Sequence, residues 1–324
     1  MLPPSAKTVI VTDHGFPSIE AQREIIESAG FRLQEARPVC RTEDDIIERC
    51  HGAEVLLVQW APVTRRVLQS LPSVRCIVRY GVGVNNFDLQ AAQDLNVVAA
   101  NVPDYCVEEV SDHALAMILS LVRRMPQDTA QIRRGEWGVS KYKITGGCSD
   151  LTLGLLGFGA IGRRVAGKAQ AFGFKVIACD PGVDESVFGQ YKTARVDLNR
   201  LMEISEILSL HAPLVASTRY VINRDSIARM KPGVLLINTS RGPLVNEQDL
   251  IEALSSGHVG GAGLDVFEVE PLPAGSPLRT FDNVVLTSHS ASVSERAVRQ
   301  LQVKAAQVAR DFLMGQRPYS VVTC

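Results

Sequence analysis

The sequence contains no stretch of 18 uninterrupted apolar residues, and its opening, MLPPSAK, has no basic segment leading into an apolar one. Neither a membrane-spanning helix nor a cleaved export signal is therefore expected, and the chain reads as soluble and unexported. An excess of charge is also missing: 34 Lys and Arg face 35 Asp and Glu, a formal net charge of −1. Such a chain has no field to gather nucleic acid or an anionic membrane, so neither is expected as a partner. The seven cysteines (Cys40, Cys50, Cys76, Cys106, Cys148, Cys179, Cys324) are odd in number, scattered, and without a C-x-x-C pair. That suggests neither a disulfide framework nor a zinc site and suits a reducing cytoplasm. His, Cys and carboxylates nowhere recur at metal-ligand spacing, and no metal is expected. Repeats and low-complexity tracts are lacking too. What remains is a chain of 324 residues, 46% hydrophobic, able to bury a large core and long enough to favour two domains.

Short β-branched runs alternate with longer segments of helical period, the sequence form of parallel sheets with crossover helices. The pattern runs twice. The first series is KTVIVTD (7–13), FRLQEAR (31–37), EVLLVQW (54–60), CIVRY (76–80) and VVAAN (97–101). Residues 108–124, with acids at the start, arginines at the end and apolar residues almost all round, predict a long buried helix that complements its own dipole. The second series is LTLGLLG from Leu151, KVIACD (175–180), EILSLH (206–211), VLLINTS (234–240), GAGLDV (261–266) and NVVLTSHS (283–290). Their near-continuous apolar character implies strands covered on both faces. Residues 125–150 are polar, hold four glycines and show no strong period, so they read as a loop or an oligomer arm. A helical run follows Ser294 to about Leu313. The fold class is α/β, with two doubly wound parallel-sheet domains. The first is expected to be discontinuous, 1–103 and 295–324, and the second to span 104–294.

LTLGLLGFGAIGRRVAGKAQAFGFKVIACD is a strand, a G-x-G-x-x-G turn, a helix and a second strand ending in an acid. Gly157 permits the turn, Gly159 lets N–H groups near Phe158, Ala160 and Ile161 approach a pyrophosphate, and Gly162 lets helix and strand pack closely. The helix N-terminus meets the phosphate charge. Asp180, 18 residues after Gly162, can accept hydrogen bonds from both hydroxyls of an adenine ribose and would repel a 2′-phosphate, so NAD is favoured over NADP. Asp180 also suits a plain turn start before Pro181.

Arg241, Glu270 and His289 stand at or just beyond the ends of later strands, where open α/β sheets bind ligands. Arginine clamps a carboxylate or polarises a carbonyl, histidine exchanges a proton near neutral pH, and a glutamate beside it favours the charged form. Together they are the groups needed to reduce a 2-keto acid. Taken singly, each has a plain structural reading as well.

The segments RYGVGVNNFDLQAA (79–92), NVP (101–103), the glycine turn, LHAPLVAST (210–218), INTSRGPLVNEQDL (237–250), GGAGLDVFEVEP (260–271) and LTSHSA (286–291), taken in order, resemble the D-isomer-specific 2-hydroxyacid dehydrogenase family over nearly the whole chain. The resemblance implies two Rossmann- or flavodoxin-like domains with a cleft between them and a homodimer made through the cofactor domain. It further implies that Arg241 binds the substrate carboxylate and keto oxygen, that His289 is the acid/base, and that Glu270 holds and charges it. Backbone N–H groups at Val82 and Gly83 would hold the carboxylate. Cofactor contacts would come from the turn, Asp180, His211, Pro213, Thr218, Thr239, Asp265 and His289, with a structural role for His211 equally open. His113 reads as a packed or interface residue.

Two departures stand out. Ser288 precedes His289 where the family usually has proline, and Ser292 stands where the related C-terminal-binding-protein branch has tryptophan. No regulatory domain is expected after Cys324, unlike the longer phosphoglycerate dehydrogenases. Glu270, in place of the glutamine of formate dehydrogenase, disfavours formate oxidation, while phosphite oxidation uses a similar set and ranks low. The resemblance thus implies an NAD-dependent oxidoreductase interconverting a small D-2-hydroxy acid and its 2-keto acid. The alternative is an NAD(H)-sensing protein resembling the C-terminal-binding-protein co-repressors.

Overall fold

The computed structural model describes residues 6–138 and 146–323. The chain divides into two compact units, one running to Cys106 and resuming at Val293, the other spanning Val107–Ser292.

The first unit alternates β1 (Thr8–Val11), α1 (Glu20–Ser28), β2 (Arg32–Glu35), α2 (Glu43–Arg49), β3 (Val55–Val58), α3 (Arg65–Ser70), β4 (Cys76–Arg79), α4 (Leu89–Asp94) and β5 (Val98–Ala100). All pairs are parallel and the order is β2-β1-β3-β4-β5, so the strand order reverses between β1 and β3. Every residue of β3 is buried, as expected of a central strand covered on both faces.

The second unit holds α5 (Val107–Val122), α6 (Met125–Arg133), β6 (Thr152–Leu156), α7 (Ala160–Ala171), β7 (Lys175–Cys179), α8 (Glu185–Gln190), β8 (Ala194–Arg195), α9 (Leu198–Ile204), β9 (Ile207–Leu210), α10 (Arg224–Ala228), β10 (Val234–Asn238), α11 (Glu247–Ser256), β11 (Val259–Leu264) and β12 (Val284–Leu286). The last helix, α12 (Glu295–Leu313), returns to the first unit. The sheet order is β12-β11-β10-β9-β6-β7-β8, parallel throughout. The two sides of this sheet feed separate cores. Leu153, Leu155 and Ile237 face α5 and α7 with Ile118, Val165 and Ala169, while Leu208, Leu210, Leu236 and Leu264 face the other layer with Leu250 and Leu254. Two apolar sides explain why these strands read as continuous apolar runs.

The two doubly wound parallel sheets agree with the fold class expected from the sequence. Two local expectations need correction, and one short strand went unread. Residues 125–150 are not all loop: α6 forms at their start, with Pro126 and Asp128 in its first turn and Arg133 in its last, positions where each favours a helix. The rest of the proposed arm, 139–145, lies outside the described residues. The arginines expected to close α5 lie beyond it, since the helix ends at Val122 and Arg124 adopts φ +55°. The two-residue β8, exposed at both positions, was too short to show a period.

Candidate active site

The glycine turn sits where the strand order of the second unit reverses, between the carboxyl ends of β6 and β9. Two backbone bonds set it there: Gly157 N–H to Cys179 O (2.9 Å) and His211 N–H to Leu156 O (2.7 Å). Gly157 has φ +98°, and a Cβ on it would lie 2.6 Å from Ala212 N. A Cβ on Gly162 would lie 2.4 Å from Gly157 O, so α7 starts directly against the turn. Over Gly159 the space is open, with nothing within 4 Å of an added Cβ. Phe158 is fully buried and stacks on Phe188 at 4.6 Å, which fixes the turn from beneath.

The N-terminus of α7 differs from its neighbours. Helices α8, α9, α10 and α11 each begin with an Asp or Asn whose side chain accepts a first-turn N–H, whereas α7 begins with Gly159 and has no side-chain cap. Its leading N–H groups are thus left for an outside acceptor, the arrangement that binds phosphate. Asp180 closes the far side: Oδ2 accepts Phe158 N–H at 2.7 Å and Oδ1 accepts Gly182 N–H at 2.9 Å. Its carboxylate is thereby pinned against the turn, and each oxygen keeps acceptor capacity for a ribose hydroxyl. His211 bonds Ser209 Oγ through Nε2 at 2.9 Å, and burial pushes its imidazole down to about 4, so it is neutral near pH 7. Thr218 closes the loop after β9, donating to Pro213 O (2.6 Å) and accepting Val215 N–H (2.9 Å). Thr239 is buried after β10, and its Oγ1 has no hydrogen-bond partner among the described residues. Open space over Gly159, uncapped N–H groups, a pinned acid and an unpartnered buried hydroxyl fit a dinucleotide.

The structure joins the three strand-end residues. His289 Nδ1 lies 2.7 Å from Glu270 Oε2, and Glu270 Oε1 accepts Phe267 N–H at 3.0 Å. Burial alone would raise the Glu270 carboxyl. The bonds from His289 and Phe267, with the charges of His289 and Arg241, outweigh it and hold the group below its ordinary range. Glu270 is therefore an acceptor only, so Nδ1 of His289 carries the hydrogen and Nε2 is left to exchange a proton. The Arg241 guanidinium donates to Ser240 O at 2.7 Å. Its neighbour Gly242 presses so closely on Phe267 that a Cβ would fall 1.9 Å from Phe267 O, which sets the Arg241 backbone beside the segment carrying Glu270.

Asp265 is 1% exposed, and its carboxylate serves the His289 turn. It accepts Thr287 Oγ1–H (2.5 Å), Ser290 N–H (2.8 Å) and Ala291 N–H (3.0 Å). Val82 and Gly83 belong to the first unit, in the bend after β4. Asn101 Nδ2 donates to Val82 O at 2.6 Å, and neither Val82 N–H nor Gly83 N–H donates to an acceptor among the described residues. Sequence reading missed the partnership of His113 with Thr287 and the acids Glu247 and Glu268. Glu268 accepts Glu247 N–H at 2.8 Å, and burial, with the charges of Glu268 and Glu270, raises the Glu247 carboxyl.

The sequence profile of the D-isomer specific 2-hydroxyacid dehydrogenase family, NAD binding domain, matches residues 115–291. The chain belongs to this family. Among dehydrogenases and reductases similar to it, a hydroxypyruvate reductase of Thermotoga maritima is 37% identical, covering 82% of this chain and 86% of its own. A D-3-phosphoglycerate dehydrogenase of Methanocaldococcus jannaschii is 35% identical over 97% of this chain and 59% of its own length. The chain spans between half and three fifths of the length of the D-3-phosphoglycerate dehydrogenases it matches. Among solved structures, D-lactate dehydrogenase from Aquifex aeolicus, complexed with NAD and lactic acid, superposes with TM-score 0.85 at 26% identity, covering 98% of this chain and 99% of its own.

Proposed function

We propose that this member of the dehydrogenase family interconverts a small D-2-hydroxy acid and its 2-keto acid, with NAD as cofactor. The observation that carries the proposal is the His289–Glu270 pair at 2.7 Å with the Arg241 charge beside it. When bound, NAD supplies or takes up the hydride at C2 of the acid. The Gly157–Gly162 turn, Asp180, His211, Pro213, Thr218, Thr239, Asp265 and His289 would hold NAD. Asp180 selects NAD, since its charge opposes a 2′-phosphate.

Arg241 binds the substrate carboxylate and keto oxygen. In reduction, His289 gives the Nε2 proton to the oxygen as the hydride reaches carbon. In oxidation, neutral His289 takes that proton back. Glu270 keeps the ring oriented and balances its charge in the protonated state.

The 1–103 and 295–324 segments are proposed to bind the acid, and 104–294 the cofactor. The dehydrogenase is proposed to be a homodimer made through the second unit. There Trp137 is 92% exposed, with exposed Met125 and Ile132 nearby in sequence, and a hollow of about 380 Å³ is lined by Met125, Pro126, Phe281 and Val284 together with Ser120, Thr129, Arg133 and Asp282. Exposed large apolar side chains beside a mixed hollow support an interaction site. Three buried, free cysteines, Cys40, Cys50 and Cys76, support a reducing cytoplasm; recovery of the protein from the medium on cell fractionation would contradict that.

The reaction is tested by following NADH absorbance with purified protein and a panel of 2-keto acids, among them glyoxylate, hydroxypyruvate and pyruvate. Turnover of at least one is expected, faster with NADH than with NADPH. No turnover across the panel despite tight NADH binding would refute the assignment, and better use of NADPH would refute the role of Asp180.

A further inference from the structure

His113 lies on α5, far in sequence from the strand-end residues, and is partly buried. Its Nε2 is 3.0 Å from Thr287 Oγ1 and 3.8 Å from Asp265 Oδ1. The hydroxyl of Thr287 has one hydrogen, and it points at Asp265 at 2.5 Å. Thr287 Oγ1 can then only accept from His113, so His113 carries its hydrogen on Nε2. The direction of the chain is fixed: His113 donates to Thr287, and Thr287 donates to Asp265.

Asp265 in turn holds the whole turn that displays His289. Its backbone O accepts His289 N–H at 2.8 Å, and its carboxylate accepts the next two N–H groups. His289 stands at φ +53°, a left-handed conformation that is strained for a non-glycine residue and persists only where its surroundings hold it. The preceding residue gives no help, since Ser288 is exposed and makes no hydrogen bond among the described residues. Asp265 therefore accepts three successive backbone N–H groups of the His289 turn, beside the Thr287 N–H bond to Leu264 O, and the last donor in its chain is His113.

We propose that His113 is a positioning residue for the acid/base: through Thr287 and Asp265 it fixes the turn that aims His289 at Glu270. The inference rests on the functional reading above, in which His289 moves the proton. A plain packing role for His113 between α5 and the sheet is the competing account. The two differ in what a side chain of similar reach restores, because glutamine presents an N–H where Nε2 stood and leucine does not.

The experiment compares His113→Leu and His113→Gln in the full chain by two readouts. The first is the low-field Nδ1 proton resonance of His289, assigned by its loss in His289→Gln, which reports the bond to Glu270 without cofactor or substrate. It is expected sharp in the parent, broadened or lost in His113→Leu, and restored in His113→Gln. The second is steady-state reduction of the best 2-keto acid. His113→Leu is expected to lower kcat about tenfold with KM within about threefold, as loosened aim predicts, and His113→Gln to recover most of it. The proposal is overturned if the resonance and kcat survive His113→Leu, or if His113→Gln is damaged as badly as His113→Leu. Should the parent turn over no 2-keto acid, the functional reading fails while the resonance still decides the role of His113.

Discussion

Three glycines in one turn make separable demands, and replacing each with alanine pulls them apart. At Gly162 the new methyl would lie 2.4 Å from a backbone oxygen, which no rotamer change relieves. Overpacking of this kind costs about 1–3 kcal/mol. For a unit the size of Val107–Ser292, each kcal/mol moves the unfolding midpoint by about 2–4 °C, so Gly162→Ala is expected to lower Tm by about 2–12 °C. Gly157→Ala adds a strained φ of +98° to a 2.6 Å backbone contact and is expected to lose at least as much. Gly159→Ala is the informative variant. Its φ is −70° and its Cβ would meet nothing. The weaker N-cap preference of alanine is offset by the smaller entropy of the unfolded chain, each about 0.5–1 kcal/mol. Its Tm is expected within about 2 °C of the parent, yet its methyl occupies the approach to the uncapped N–H groups of α7. Affinity for NADH, read by fluorescence titration beside calorimetry, is expected to fall at least about tenfold, since close backbone approach is what that position provides. A Gly159→Ala protein that binds NADH like the parent, or unfolds as early as Gly162→Ala, would refute this division of labour.

His289→Gln is expected to slow reduction by about 10²-fold or more without changing Tm, as befits loss of the proton donor; near-normal turnover removes His289 from the mechanism. His211, lowered by burial to about 4, stays neutral in the native protein where it would be protonated unfolded. Between its ordinary value and about 4 the unfolded state binds more protons, so this group's contribution to stability falls as pH falls through that window and levels off below it. A histidine NMR titration checks the midpoint, and a value near 6.5 would show that the imidazole is not buried as described. Sedimentation equilibrium is expected to return twice the chain mass for the parent and a single mass for Trp137→Glu; a monomeric parent removes the proposed dimer.

Much of the fold was legible because burial on both sheet faces leaves a plain trace. VLLV, LTLGLL, ILSL and VLLIN stand out as runs with no polar interruption or one, and all became strands. β8 left no trace, because two exposed residues held only by β7 carry no pattern. α6 was hidden by the glycines that follow it, which masked a first turn with sound helix signals. At the site, residue types and strand-end positions were readable for Arg241, Glu270 and His289, and so was the family. Their mutual approach was not, since it depends on which strands become neighbours. Least legible was His113. On an apolar helix it looked like packing, and its partner Thr287 lies 174 positions away, a distance across which local sequence carries no signal. Asp265 was expected at the cofactor, and its carboxylate proved to be the post around which residues 287–291 wrap.

The missing cap on α7 bears on how the protein lives as well as on what it binds. A helix whose first turn is completed by a ligand folds most securely when that ligand is plentiful. Binding at a hundredfold excess over Kd adds about 2.7 kcal/mol to the native state, a sizeable share of the stability of an ordinary domain. Abundance of the loaded form would then follow the cell's dinucleotide supply through degradation of unloaded molecules, with no dedicated regulator required.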